Sequence, residues 1–438
     1  ASDVYKRQGQ KRAAPSTRKG DVSWTWTSSL PSVLTLMSKT LRIASERMWS
    51  SKAMRDTFVS RCILQPVMLC LENEAYLKVQ VIKQGMFKVL CLAVKLHGQA
   101  FNVQTSILQA LQYYEHLAEP MAELLGVMRT DFDIERLGED VLRDLAAKSF
   151  TSLDTKSPRS FGRFLVRMTE LNPRTVLKQM SLLERQQESE SYPIRNAMIE
   201  VHGLLIKYLS MSEDDVDIAP NEDDEDDDRS APQKQMDMLF ERLFERFLDL
   251  TTFVRTKVIQ VCSKLCDIPA KLPAQRLRMT SLAIRSLEDK GSHVRRNAIS
   301  LLIKLLLTHP YGVLHGGELD ASVWTERRDV VRAELAKAEE RLEFPVTDVE
   351  QEAPPDKTKP RRSDLDLDAL AASQQSMTQA EQDHLVKLRL TVTYYDDALH
   401  FVHMVEQGVP ILIQLLASTN KAEVLESMES VSYTHLRA

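Results

Sequence analysis

The chain contains little glycine and few aromatic residues. Glycine accounts for 13 of the 438 residues, and Phe, Trp and Tyr together account for 6%. Because tight turns with positive φ depend on glycine, this scarcity counts against a strand-rich or Rossmann-type protein. Leu, Lys, Glu and Met are abundant, and these residues favour helices. The composition therefore predicts an all-α protein, built either as two or three ordinary domains or as one continuous array.

Long apolar runs and the short motifs of common enzymes are also missing. No apolar run reaches the roughly 18 residues that a bilayer-spanning helix needs, and Lys304 interrupts the longest candidate. The sequence has no Gly-x-x-x-x-Gly-Lys phosphate loop, no Gly-x-Gly-x-x-Gly and no Gly-x-Ser-x-Gly. We therefore expect a protein that is not an enzyme and that uses no cofactor, no membrane and no small-molecule substrate.

The cysteines form no Cys-x-x-Cys pair, and their number is odd. An odd count is more typical of a reducing compartment than of a disulfide framework. Two of them are four residues apart on a predicted helix, beside an apolar stripe, so we expect buried free thiols there. The five cysteines are Cys62, Cys70, Cys91, Cys262 and Cys266.

One phrase occurs three times, at 192–199, 252–259 and 292–299. The last two copies are 40 residues apart, and the first two are 60 apart with an acidic stretch between them. A forty-residue period of helical units is typical of HEAT-type arrays, in which each repeat covers the apolar face of its neighbour. We therefore predict a HEAT-repeat α-solenoid, a superhelix of stacked antiparallel helix pairs with disordered acidic and Pro-rich insertions.

Two positions within the phrase are predicted to be structural. The first is an apolar residue that opens a stripe at i, i+4, i+7 and i+11, which is one face of a helix. The second is the arginine that follows it, which is predicted to pair with an acidic residue in the preceding turn or repeat rather than to bind a ligand. The residues at these positions are Ile194, Arg195, Val254, Arg255, Val294 and Arg295.

Breaks in the helical pattern divide the chain. Glu and Asp dominate 213–228, and like charges this dense predict a solvated loop, with a decoy for basic partners as the alternative. Farther on, prolines beside basic residues predict a linker or regulated loop. Ala1–Gln8 and Val431–Ala438 resemble translated sequencing-adaptor read-through. The expected divisions are 1–21, disordered and partly artefactual; 22–209, the first part of the array; 210–235, the acidic disordered loop; 236–343, the second part; 344–379, the disordered linker; 380–430, a truncated third part; and 431–438, artefactual.

A cluster of basic residues lies on or beside the third copy of the phrase. Its members are candidates for contact with the phosphates of DNA, and a solvated face with repeat-specific salt bridges is the equally favoured alternative. Aromatic residues are not interleaved as they are in single-strand binders, so any contact is expected to be with the duplex backbone. Reversing the charges of its two adjacent arginines is expected to weaken DNA binding without unfolding the array. The candidate contacts are Lys290, Arg295, Arg296 and Lys304, and Arg276, Arg278 and Arg285 precede them.

One group of residues has a spacing that metal sites use. Asp396, His400 and His403 can share a helical face, and such a face can bind a metal ion. No further convergent motif accompanies them, so a surface or packing role is the favoured interpretation and no metal is expected.

Longer stretches of the sequence resemble one family. The segments 172–206, 253–269, 285–319 and 421–429 are similar to the condensin complex subunit 1 family, the HEAT-repeat regulatory subunits of condensin I. The resemblance is most specific in the wording SLEDK…HVRRNAISLL…HPYG. It implies that the chain is an internal piece of a longer, non-catalytic scaffold subunit.

The resemblance also implies partners and a location. The expected partners are a kleisin subunit, SMC ATPase subunits, a second HEAT subunit and double-stranded DNA or chromatin, in a complex that condenses mitotic chromosomes. The implied location is the nucleus and chromosomes, with room for a cytoplasmic pool. The contacts of this family form no compact motif, so no individual contact residue is carried over.

Two other functions stay open. A transport or trafficking adaptor of the karyopherin type is compatible with the helices and the acidic loop, and binding of a small GTPase or cargo without a kleisin would favour it. An enzyme of unknown type is the third hypothesis, and only turnover abolished by a point mutation would support it.

Overall fold

The structure, a computed structural model, describes residues 25–43, 48–154, 156–211, 231–311, 320–343 and 367–437. All regular elements in these ranges are helices, and no strand occurs in them. The predicted all-α, HEAT-type class is therefore confirmed. The chain divides into two compact units, residues 1–141 and 142–438.

The first unit is organised around one central helix. This helix, α5, packs against α1, α3, α4, α6 and α7, and nine of its 18 residues are buried. It ends at Gly98, whose φ of 62° is the left-handed conformation that glycine adopts without strain. The helices are α1 (Trp26–Leu41), α2 (Lys52–Phe58), α3 (Gln65–Leu71), α4 (Glu74–Leu77), α5 (Gln80–His97), α6 (Ala100–Tyr113), α7 (Ala118–Phe132) and α8 (Arg136–Ala147), of which α8 crosses the boundary between the units.

The second unit consists of two rows of helices. In the front row, α9, α12, α14, α16 and α19 pack side by side in that order. In the back row, α13 lies against α12, α15 lies against α16, and α18 lies against both α15 and α19. The helices are α9 (Lys156–Leu171), α10 (Pro173–Lys178), α11 (Met180–Leu183), α12 (Tyr192–Met211), α13 (Ala231–Glu245), α14 (Thr252–Leu265), α15 (Pro273–Ser286), α16 (Ser292–Leu307), α17 (Ala321–Glu343), α18 (Leu367–Leu415) and α19 (Lys421–Arg437).

The front-row helices bury the apolar stripe of the repeated phrase. Ile194, Val254 and Val294, which open the stripe, are all 0% exposed. Helices α12 and α14 approach so closely at Gly203 that a Cβ built there would overlap Val261 Cγ1. Each buried aliphatic side chain contributes about 1.5–3 kcal/mol, so these contacts are the main cohesion between neighbouring layers.

Helix α19 takes the place of a fourth copy although its sequence does not match the phrase. Counted from the N-cap residue, Glu423 occupies the position that Val254 and Val294 occupy in α14 and α16. Ser427 and Ser430 follow on the same face, and these three polar residues are 0% exposed. A polar seam therefore joins α19 to α16 where an apolar stripe joins the other layers.

Between α16 and α19 the chain forms a two-helix projection. Helix α18 has 49 residues, which is about 73 Å at 1.5 Å per residue, whereas front-row helices span only about 20–30 Å. Helix α17 packs along α18, and Glu339 and Arg389 pair at 2.8 Å. At the base, Trp324 is 0% exposed and the Tyr394 hydroxyl donates to Tyr311 O at 2.7 Å.

The helices extend into several segments that the sequence analysis assigned to loops. Helix α12 continues to Met211 and α13 begins at Ala231, inside the predicted acidic loop. Helix α18 begins at Leu367, inside the predicted linker, where Ala, Leu and Gln have high helix propensity. Helix α19 runs on through 431–437. The remaining parts of those predictions, 1–24, 212–230 and 344–366, lie outside the described residues.

Candidate functional site

Three arginines join neighbouring front-row helices in a repeating pattern, here called the arginine ladder: Arg195, Arg255 and Arg295. Each guanidinium donates in two directions. Its Nη1 donates to two backbone carbonyls in the turn before its own helix, and its Nε and Nη2 donate to one carboxylate of the next layer. Such bidentate arginine–carboxylate pairs are stronger than hydrogen bonds between neutral groups.

The first two rungs use an aspartate two residues before the N-cap of the next helix. Arg195 Nε and Nη2 lie 3.0 and 3.1 Å from the Asp249 carboxylate. Arg255 Nε and Nη2 lie 2.6 and 2.9 Å from the Asp289 carboxylate, and Arg255 Nη1 donates to Asp249 O at 2.6 Å. Asp289 Oδ1 also accepts from Gly291 N at 2.7 Å. One aspartate thus holds its own turn together and binds the preceding layer.

The third rung has the same geometry but takes its carboxylate from a different position. Arg295 Nη1 donates to Asp289 O at 2.7 Å, and Nε and Nη2 donate to Glu423 of α19, the latter at 3.1 Å. At the position equivalent to Asp289 stands Ser418, whose Oγ accepts from Asn420 N and donates to Glu423 Oε2 at 2.7 Å. Serine caps the turn, and the glutamate supplies the charge.

The acidic partners differ from the sequence prediction. The arginines were expected to pair with an acid in the preceding turn or repeat. Instead the preceding turn supplies backbone carbonyls, and the acid comes from the following layer. The reason is geometric, because a guanidinium presents donors on two edges and reaches both turns at once.

Two of the ladder pairs, Arg255–Asp289 and Arg295–Glu423, shift the pKa values of their members. The hydrogen bond to Asp289 raises the pKa of Arg255, and the hydrogen bond to Glu423 raises the pKa of Arg295. Burial pulls the pKa of Asp289 upward, but the bonds from Arg255 and from the Gly291 N–H outweigh it and leave that pKa lowered. The Arg295 hydrogen bond lowers the pKa of Glu423 against the effect of burial. These pairs therefore stay ionised at neutral pH.

The candidate DNA contacts lie in three different settings. Lys290 is exposed in the turn before α16. Arg296 and Lys304 lie along α16 and face acids, with Arg296 Nε 3.4 Å from Glu426 and Lys304 Nζ 2.6 Å from Asp267. Arg295 belongs to the ladder, so reversing its charge would set it against the buried Glu423. For Arg295 we therefore expect the opposite of the sequence prediction, namely that the reversal destabilises the array.

The three arginines that precede the cluster are also separated. Arg276 is only 7% exposed and donates to the carbonyls of Lys271, Cys266 and Thr308, so it ties together the ends of three helices. Arg278 pairs with Glu241, and Arg285 is exposed. Sequence reasoning had no signal for the burial of Arg276, because its carbonyl partners leave no side-chain pattern.

Polar pairs also cross between front-row helices on their exposed face. Glu200 of α12 accepts from Lys257 at 2.9 Å and from Lys264 at 3.5 Å, both on α14. Gln260 Nε2 donates to Asn297 Oδ1 at 3.2 Å. Partly exposed pairs of this kind contribute about 0–1 kcal/mol each, so they add little to the cohesion between the layers.

One functional-looking residue was missed in the sequence. His202 is 1% exposed within α12, its Nδ1 contacts Met198 O, and its Nε2 lies 2.8 Å from Gln187 Nε2. The neutral tautomer that satisfies both contacts donates from Nδ1 and accepts at Nε2. Burial lowers the pKa of His202 to about 4, and Arg246 and Arg242 act in the same direction.

Two of the three residues considered for a metal ion face other charged side chains. Asp396 faces Arg328 and Arg332, and His403 Nδ1 lies 3.2 Å from Glu406. Among the residues that the structure describes, no group of three or more His, Cys, Asp or Glu side chains is placed to hold a metal ion. None of the helices in the described ranges combines the length and apolarity needed to cross a bilayer.

All five cysteines are free, and those on α14 are buried as predicted. Cys262 is 0% exposed and Cys266 is 4% exposed. Burial raises the pKa of both thiols. They are therefore protonated at neutral pH and pack as small apolar side chains.

Comparison with known proteins adds a family likeness to this geometry. The sequence profile described as "non-SMC mitotic condensation complex subunit 1, N-term" matches residues 1–103. This range includes the first eight residues, whose origin as adaptor sequence stays a prediction.

Individual curated proteins are similar over most of the chain. "Condensin complex subunit 1" of Schizosaccharomyces pombe is 34% identical over 91% of this chain and 34% of its own length. The protein of the same name from Saccharomyces cerevisiae is 30% identical over 91% of this chain and 34% of its own length. "Condensin-1 complex subunit CAP-D2" of Arabidopsis thaliana is 22% identical over 92% of this chain. The chain spans about a third of the length of the curated relatives it matches.

Proposed function

We propose that this chain, which belongs to the condensin complex subunit 1 family, serves as a non-catalytic scaffold and regulatory part of a condensin complex in mitotic chromosome condensation. The similarity to proteins named as condensin subunits over 91% of the chain carries the proposal. The array supports it physically, because stacked helices present extended surfaces and keep their layers in register through buried contacts.

The proposed partners are a kleisin subunit, SMC ATPase subunits and double-stranded DNA or chromatin. The proposed location is the nucleus and chromosomes, with a cytoplasmic pool. Support for the location and partners comes from the relatives named as condensin subunits.

The proposed DNA contacts are reassigned according to their surroundings. Lys290 is exposed and available to a phosphate, whereas Arg296 and Lys304 exchange their acidic partners for phosphates when DNA arrives. Arg295 acts indirectly, because its ladder contacts hold the Lys290 carbonyl and so fix the turn that carries Lys290. Each lost phosphate contact should reduce the salt dependence of binding by about one unit of log–log slope.

The test combines co-purification with DNA binding. The full chain is expressed with a condensin kleisin, and affinity of the purified complex for a duplex is measured over a salt series. We expect a stable complex whose affinity falls steeply with salt. Lys290→Glu with Arg296→Glu should weaken binding and lower the salt slope by about two. Lys52→Glu with Arg136→Glu, an equal charge change at two exposed sites of the first unit, is the matched control.

The two parts of the proposal fail in different ways. A folded chain that does not co-purify with a kleisin would contradict the condensin role. A stable complex whose DNA affinity is equal in the Lys290 and Arg296 variant and in the control would remove the proposed DNA contacts but keep the scaffold role.

A further inference from the structure

The arginine ladder holds three outward-facing side chains in a line. Glu190, Leu250 and Lys290 each stand one residue before the N-cap position of a front-row helix. Their carbonyls accept from Nη1 of the ladder arginine of the same helix, at 3.1, 3.2 and 3.3 Å. These bonds hold the backbone at the three positions, and all three side chains are exposed. We call this line the ladder edge.

The middle of the ladder edge is apolar. Leu250 is 97% exposed and Phe253 is 61% exposed, and the Phe253 ring stacks on that of Tyr192 from the neighbouring layer, with centroids 5.5 Å apart. Single exposed apolar residues need no explanation, but an exposed leucine on the same turn as an exposed ring that stacks on a second ring offers an apolar surface to a partner.

The two ends of the ladder edge carry opposite charges. Glu190 lies on the α12 side of the apolar group and Lys290 on the α16 side, and the side chains of both are exposed. His293 of α16 occupies the position of Phe253 in the next layer and is exposed as well. The order along the edge is therefore acidic, apolar and basic, with successive features on adjacent layers.

We propose that the ladder edge binds an extended segment of a partner protein that has an apolar residue flanked by a basic residue on one side and an acidic residue on the other. The apolar side chain packs on Leu250, Phe253 and Tyr192, the basic residue meets Glu190, and the acidic residue meets Lys290. Neighbouring helices are about 8–10 Å apart and an extended chain rises about 3.3 Å per residue, so about three residues separate successive anchors.

The long insertions of this chain leave the front row at its opposite end. The ladder edge lies at the N-terminal ends of α12, α14 and α16, whereas the acidic segment that follows Met211 and the projection that follows Leu307 depart from their C-terminal ends. Helix α12 has 20 residues, so these ends are about 30 Å apart. The acidic segment 213–228 also contains no basic residue that could meet Glu190. Both observations favour a segment of another protein as the occupant.

The test is a selection with a defined probe. The purified full chain is used to pan a random heptapeptide phage-display library, and enriched peptides are resynthesised with a fluorophore for polarisation measurements. We expect enrichment of basic–x–x–apolar–x–x–acidic sequences, in either chain direction. Leu250→Ser with Phe253→Ser should weaken the enriched peptides by about tenfold or more. Leu153→Ser, which changes a leucine that is 93% exposed elsewhere, is the matched control.

A charge switch gives an independent readout. Panning against Glu190→Lys should replace the basic end of the selected peptides with an acidic residue and leave the other end unchanged. Selection of apolar peptides without flanking charges would overturn the proposal, as would equal binding to the Leu250 and Phe253 variant. A chain that sediments as a dimer and becomes a monomer in that variant would assign the edge to a second copy, and that result also overturns it.

Discussion

The α14–α16 and α16–α19 layers of the front row have nearly the same arginine geometry, but the residue that opens the buried stripe is apolar in the first and charged in the second. Between α14 and α16, Val254 and Val294 are buried, and the Arg255 pair with Asp289 lies at the margin, where both side chains keep 13–15% of their exposure. Between α16 and α19, Glu423 replaces the valine, and it pairs with Arg295 from the buried position itself, at 0% exposure. The carboxylate of the rung is thus at the margin in one layer and fully buried in the other, although Arg295 itself keeps 21% of its exposure.

The comparison shows that the arginine keeps its position from layer to layer, while its acidic partner can come from more than one position. Asp289 and Glu423 reach equivalent guanidinium edges from places five residues apart in the local alignment. The second layer has a cost, because Ser427 and Ser430 bury polar groups on the same face. Within the described residues, Glu426 Oε2 and Ser430 Oγ are buried there without a hydrogen-bond partner. We therefore expect this layer to depend more strongly on its ion pair.

Removal of Arg295 should produce the largest effect. Arg295→Met leaves the Glu423 carboxylate buried without its cation, which should destabilise the layer by about 3–4 kcal/mol. Urea unfolding and hydrogen exchange of the α19 amides measure this, and exchange should accelerate first in α19.

A second substitution serves as the internal control for that loss. Adding Glu423→Val, which places the residue of the other layers at this position, should recover most of the stability, because an ion pair replaced by apolar residues is often close to neutral. If the double variant is no more stable than Arg295→Met, the loss does not come from the uncompensated carboxylate.

Lowering the pH should destabilise the folded chain through His202 of α12, which is buried in its neutral form, unlike the ionised ladder pairs. The pKa of His202 is lowered from its ordinary value to about 4 by burial, so the unfolded chain binds a proton that the folded chain excludes. Above pH 6.5, His202 is neutral in both states and does not lower the unfolding free energy. As the pH falls from 6.5 to 4, the unfolding free energy should decrease by about 3 kcal/mol because of this residue.

The matched variant for this prediction is His202→Gln, which keeps hydrogen-bonding capacity but does not titrate. Its stability should be lower at neutral pH, and it should lack the additional loss between pH 6.5 and 4. Parallel curves of unfolding free energy against pH for the two proteins would contradict the assignment.

Removal of Arg255 should have a smaller effect than removal of Arg295. Asp289 stays partly exposed and keeps its bond from the Gly291 N–H, so water and backbone compensate its charge. Arg255→Met should cost about 2 kcal/mol by urea unfolding. A loss equal to or larger than that of Arg295→Met would reverse the comparison between the layers.

The sequence predicted the regular part of this architecture well. The burial of Ile194, Val254 and Val294 follows from a helical spacing that only one face satisfies. The partners of the arginines were not predictable in the same way, since Asp289 and Glu423 are 34 and 128 residues away from Arg255 and Arg295. Only the fold brings these positions together. The sequence of α19 also lacks the apolar spacing that would have predicted a further repeat there.

The sequence predicted the α17–α18 projection only in part. Helix α17 lies within the range assigned to the second part of the array, but the start of α18 was assigned to a linker because prolines beside basic residues precede it. The stretch that begins at Leu367 has Ala, Leu, Gln and Met in sufficient number to indicate a helix. The candidate DNA cluster shows that charge in the sequence does not distinguish structural arginines from surface ones. Arg295 and Arg296 are adjacent, yet Arg295 belongs to the ladder and Arg296 faces Glu426.

The most direct test of this account is to convert the fourth layer to the pattern of the others. Ser418→Asp with Glu423→Val moves the carboxylate to the position equivalent to Asp289 and restores the apolar residue of the stripe. If α19 is a true continuation of the array, the unfolding free energy of this double variant should stay within about 1 kcal/mol of the parent, and protection of the α19 amides should persist. A loss as large as that of Arg295→Met would contradict the claim that the ladder and its spacing continue across the α17–α18 projection.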